Sequence, residues 1–143
     1  MRGFTLIELI IILAITLLLA ATVGTLSSNT FPKNQLINES DTVVQTLHRA
    51  QALTIAGKHD LSWGVHLSAT QMTLFAGSSY ALRNTLYDEE HEFPSGLTVS
   101  GLSDVVFVAI TGETTNTGTI TLTADATSET KIISVNVSGL IEK

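Results

Sequence analysis

From Phe4 to Leu26 the chain is apolar except at Thr5, Glu8, Thr16, Thr22, Gly24 and Thr25, and this run limits the possible architecture more than anything downstream. As a helix its 23 residues would extend about 35 Å at 1.5 Å per residue, enough to cross a hydrocarbon core of about 30 Å. A carboxylate inside lipid costs about 2.5–3.5 kcal/mol on insertion scales, so Glu8 calls for a partner or a function. A cleaved secretory signal peptide could use Arg2 as its basic region and Ala20-Ala21-Thr22 as its exit, but its apolar region would be too long and would open on an acid. An uncleaved signal anchor accounts for the length and leaves Glu8 alone. A processed leader followed by an assembly helix is the third arrangement.

The remainder reads as one ordinary domain, since 143 residues leave little room for a second core. Hydrophobic residues make up 44% and charged residues only 14%, an imbalance concentrated in the first 26 positions. The net charge is −6, and Lys33, Arg49, Lys58, Arg83, Lys131 and Lys143 are too scattered to neutralise a run of phosphates, which disfavours nucleic acid as a partner. The absence of cysteine excludes disulfides, thiolate metal sites and thiol catalysis.

Pro32 removes a donor and disfavours helix at Phe31, so a kink or linker is expected over 27–32. From about Lys33 to Ala56, the spacing of Leu36, Ile37, Val43, Val44, Leu47, Ala50 and Leu53 predicts an amphipathic helix that Gly57 stops, with Lys58 and His59 near its negative end. The period then changes to two. Leu61, Trp63, Val65 and Leu67 alternate with Ser62, Gly64, His66 and Ser68, which predicts a half-buried strand with Trp63 in the core. Further strands are expected over 71–76, 97–100, 104–110, 119–124 and 131–138, the last two joined as a hairpin by the turn 125–130. The fold class expected is α+β, with a long helix over the apolar face of an antiparallel sheet.

Gly3-Phe4-Thr5-Leu6-Ile7-Glu8 resembles the processing motif of type IV pilins. The resemblance implies that a prepilin peptidase cuts between Gly3 and Phe4 and that the new Phe4 amine is methylated. It also implies that this amine pairs with Glu8 of a neighbouring subunit during assembly. The expected plan becomes the type IV pilin fold: a leader (1–3), a hydrophobic transmembrane and assembly helix (4–28), a kink with the amphipathic second half of the helix (29–57), and a β-rich headpiece (58–143). Major pilins commonly carry a proline where this chain has Thr25, beside Gly24, and Gly24 would loosen the helix instead. Leu47-His48-Arg49-Ala50-Gln51-Ala52, Trp63-Gly64-Val65 and Gly118-Thr119-Ile120-Thr121-Leu122, with an end near Ser138-Gly139-Leu140-Ile141, are similar to the GspH/FimT group of minor pseudopilins.

What the resemblance implies is a structural subunit of a type II secretion pseudopilus or type IV pilus, priming assembly or standing at the tip, with Leu6, Ile10, Leu13 and Leu17 packed in the filament core beside Glu8 and Phe4. Its partners would be other subunits, the peptidase, an inner-membrane assembly platform and, before assembly, lipid. The headpiece would lie outside the cytoplasm on a single inner-membrane pass, and then in a periplasmic or cell-surface filament. The alternative is a tip module that binds DNA for uptake or a surface for adhesion.

An enzyme is not expected, because no Gly-x-Ser-x-Gly elbow or phosphate loop appears and no cofactor is implied. His48, His59, His66 and His91 lack the spacing of a zinc pair. The acidic run Asp88, Glu89, Glu90 and Glu92, placed in a loop between Tyr87 and Pro94, offers weak candidates for calcium, but it lacks the spaced pattern of a calcium loop.

Overall fold

The computed structural model describes the backbone of residues 5–26 and 30–143, and the side chains of 5–20 and 32–143. Its order is α1 (Leu6–Leu26), α2 (Thr30–Ile55), β1 (Trp63–Leu67), β2 (Gln71–Ala76), β3 (Asn84–Glu92), β4 (Leu97–Gly101), β5 (Asp104–Val106), β6 (Gly118–Ala124), β7 (Glu129–Val135) and β8 (Ile141–Glu142), with one-turn helices at Lys58–Asp60 and Tyr80–Leu82. The fold class is α+β, as expected. The single expected sheet is replaced by two four-stranded antiparallel sheets, ordered β3-β2-β1-β5 and β4-β6-β7-β8.

α2 packs on β1 and β2 of the first sheet and on β6, β7 and β8 of the second. Its buried stripe is Leu36, Ser40, Val43, Leu47, Ala50 and Thr54, spaced by four and three residues so that all six fall on one face. Ile37, Val44 and Leu53 flank it, half-buried. The two hydroxyls satisfy themselves: Ser40 Oγ donates to the Ile37 carbonyl at 2.8 Å and Thr54 Oγ1 to that of Ala50 at 2.9 Å. The sheets supply Trp63, Val65, Met72, Leu74, Phe107, Ile120, Leu122 and Ile133 to the same continuous core.

α2 begins three residues before the expected Lys33, and Pro32 lies in its first turn, where a missing N–H costs nothing because the first-turn donors have no partner within a helix. The rest of the expected break, Ser27-Ser28-Asn29, lies outside the described residues. At the other end Gly57 adopts φ +63° and donates its N–H to the Thr54 carbonyl at 3.1 Å, the stop that was expected.

β1 pairs with β2 so that Val65 faces Leu74 and Leu67 faces Met72, and Trp63 is buried as its place in the alternation requires. Two expected strands are shorter. The 104–110 strand ends at Val106, because Phe107 bridges to Thr114 and the chain turns at Ile110, which has φ +74°. The 131–138 strand ends at Val135, because the Asn136 side chain accepts the Leu140 N–H at 3.0 Å and closes a turn, leaving Val137 exposed. The turn before it spans 125–128, inside the expected 125–130.

Candidate functional site

The largest departure from a soluble surface is α1. Every leucine and isoleucine from Leu6 to Leu19 is at least half exposed, on all sides of the helix. Among them Leu6, Ile10, Leu13 and Leu17 lie on one face, at 78%, 54%, 53% and 68% exposure, but the other faces are equally bare and no seam is singled out. Covering a leucine or isoleucine fully is worth about 1.5–3 kcal/mol, and along this helix that burial is unrealised on every side. Thr16 does not spoil such packing, because its hydroxyl bonds the Ile12 and Leu13 carbonyls at 2.9 and 3.0 Å.

Glu8 stands in the first turn, where its N–H reaches the Thr5 carbonyl at 3.2 Å and where a negative charge suits the helix dipole by about 0.3–1 kcal/mol. Among the described residues its carboxylate has no hydrogen-bonded or ion-paired partner. Gly3 and Phe4, the expected cleavage and methylation residues, lie outside the described residues.

The part of α1 with described side chains, residues 6–20, is about 22 Å long at 1.5 Å per residue. Among the described residues no helix is long and apolar enough to cross a membrane. The expected transmembrane helix over 4–28 extends at both ends into residues that lie, in whole or in their side chains, outside the described ones.

The acidic run is not a loop, contrary to expectation. Asp88, Glu89, Glu90 and Glu92 belong to β3, which pairs with β2 from Gln71↔Glu92 to Leu74↔Glu89 and bulges over residues 85–88. A strand sends alternate side chains to opposite faces, which splits the carboxylates. Glu89 receives Arg49 of α2 through two contacts of 2.6 Å, and its neighbour His91 meets Glu39 of α2 at 2.8 Å. Asp88 instead accepts the Arg83 Nε–H at 2.7 Å, while among the described residues its Oδ1 is buried without a partner. That bond, with the nearby negative charge, holds the Arg83 guanidinium above its ordinary pKa. No three metal-binding side chains converge among the described residues.

The histidines are equally dispersed. His48 is exposed on α2, His59 stacks on Tyr87 at 4.5 Å, His91 pairs with Glu39, and His66 meets Asp104 at 2.8 Å across the β1–β5 pair. The last pairing has no sign in the sequence, since its partners lie 38 positions apart and only the strand register joins them. Scans against protein-family models and searches of curated proteins and of solved structures returned no match to this chain.

Proposed function

We propose that the chain is a structural subunit of the type IV pilin class, a minor pilin or pseudopilin of the GspH/FimT kind. In this reading a prepilin peptidase trims it between Gly3 and Phe4, the Phe4 amine is methylated, and α1 docks it into a pseudopilus or pilus. The observation that carries the reading is α1, apolar on every side and bearing one carboxylate, Glu8, that no described group of its own chain meets.

Two different forces would act in docking. Burial of leucines and isoleucines supplies affinity without direction. An ion pair between Glu8 and the Phe4 amine of a neighbouring copy supplies register, because an acid left unpaired in apolar surroundings is penalised far more than one misplaced in water. Before assembly the helix would lie in the inner membrane with the headpiece outside the cytoplasm, delivered to the filament by a membrane platform. The headpiece would prime assembly or stand at the tip.

Glu8→Ala tests the docking step. Membrane insertion should persist while filament incorporation falls about tenfold or more, the effect of losing a charge-assisted contact of about 1.5–3 kcal/mol. Unimpaired incorporation would remove the ion pair from the mechanism. Intact mass of the membrane-extracted protein should show loss of Met1-Arg2-Gly3 and one added methyl, and a retained leader in a host with active peptidase would contradict processing.

A further inference from the structure

Beside the short edge strand β5 lies an open cavity of about 440 Å³, lined among others by Ser78, Tyr80, Asp104, Val106 and Asn116. Small-molecule sites run to about 300–1,000 Å³, so the space is sufficient. Its polar groups are held from behind. Asp104 accepts from His66 Nδ1 at 2.8 Å and from Ser103 Oγ at 3.0 Å. The Tyr80 ring stacks on His66 at 3.8 Å and carries the Arg83 guanidinium at 3.8 Å on its other face. Asn116 Oδ1 accepts the Val106 N–H at 3.3 Å, which orients the amide and leaves both Nδ2 hydrogens available. Among the described residues the Ser78 and Tyr80 hydroxyls also lack partners.

The chemistry of the lining excludes most ligand classes. It has one carboxylate and no cation, which opposes phosphates and acids. Both faces of Tyr80 are taken, so a planar base has no platform there. A peptide cannot add as a strand at Val106, because its N–H is held by Asn116 and its carbonyl by Thr114 Oγ1 at 2.8 Å. An ammonium group would satisfy Asp104 and leave the Asn116 donors unanswered. A polyol hydroxyl both donates and accepts, and so can answer the carboxylate, the amide and the two hydroxyls together. The geometry points to a site for a neutral pyranose unit, with Asp104 accepting from its hydroxyls and Asn116 donating to them.

The test uses the full chain in a detergent without a sugar headgroup, with saturation-transfer NMR on millimolar D-glucose, D-galactose, D-mannose and N-acetyl-D-glucosamine, and lysine amide as a cationic probe. At least one saccharide should receive saturation. Asn116→Asp keeps the acceptor for Val106 and removes the donors, and should reduce that transfer about fivefold, as loss of one hydrogen bond of about 1 kcal/mol would. Ser78→Ala, outside β5, should reduce it as well. The inference is overturned if none of the four sugars responds, if only lysine amide does, or if neither variant weakens the signal in a protein that still unfolds at the parent temperature. It does not rest on the filament reading, and its failure would leave the role of α1 untouched.

Discussion

Thr54→Val isolates the contact by which α2 holds the start of β1. Thr54 is fully buried, and its Oγ1 donates to the Ala50 carbonyl at 2.9 Å while accepting the Trp63 N–H at 2.8 Å. Valine keeps the shape and strands that N–H in the core. A buried donor left unpaired costs about 1–3 kcal/mol, so we expect a loss of about 2 kcal/mol. At about 4 °C per kcal/mol for a domain of this size, the melting temperature should drop by about 8 °C. The control is Thr46→Val on the same helix, where among the described residues the hydroxyl bonds only the Thr42 carbonyl, at 2.8 Å, and a change within about 0.5 kcal/mol is expected. Urea unfolding followed by the fluorescence of Trp63, the sole tryptophan, reads both variants beside the affected bond. Equal losses in the two valine variants would refute the argument, since Thr54 differs from the half-buried Thr46 in its full burial and in the cross-element bond that burial leaves unreplaced.

Gly64→Ala should be more damaging: its new Cβ would sit 2.6 Å from the Val105 carbonyl oxygen and 2.8 Å from Phe75 Cζ, so β1 and β5 must separate, at about 3 kcal/mol. A variant with an unchanged urea midpoint would show that this strand pair has slack. Arg49→Ala breaks the two contacts to Glu89, but both side chains are about half exposed, and the loss should stay below about 1 kcal/mol in the same assay. A loss above about 2 kcal/mol would mean that the pair fixes β3 to α2 in a way its exposure does not suggest.

The elements read correctly from the sequence are those whose burial follows a simple period. The α2 stripe could be traced through Leu36, Val43, Leu47 and Ala50, and the β1 alternation through Trp63, Val65 and Leu67. Ser40 and Thr54 complete the stripe but, being polar, leave no mark in an apolar period, although each satisfies its hydroxyl within its own helix. β3 was illegible for a related reason: a run of carboxylates has the composition of a solvated loop, and only Arg49, Arg83 and the β2 edge make it a strand. The division into two sheets could not be read, since strand order depends on long-range pairing such as His66 with Asp104. Of the candidate site, α1 and Glu8 stand out in the sequence as isolated features. The cavity residues gain meaning only once Ser78, Asp104 and Asn116 are brought to one place.

Because a single helix, α2, closes the interior of both sheets, neither sheet can melt while the other stays dry. Amide protons along the Val43–Thr54 stretch should therefore exchange with solvent only when both sheets open together, with one shared opening free energy. A load applied through the N-terminal end of α2 would be divided between both sheets at once, so mechanical failure should be a single rupture and not a stepwise peeling.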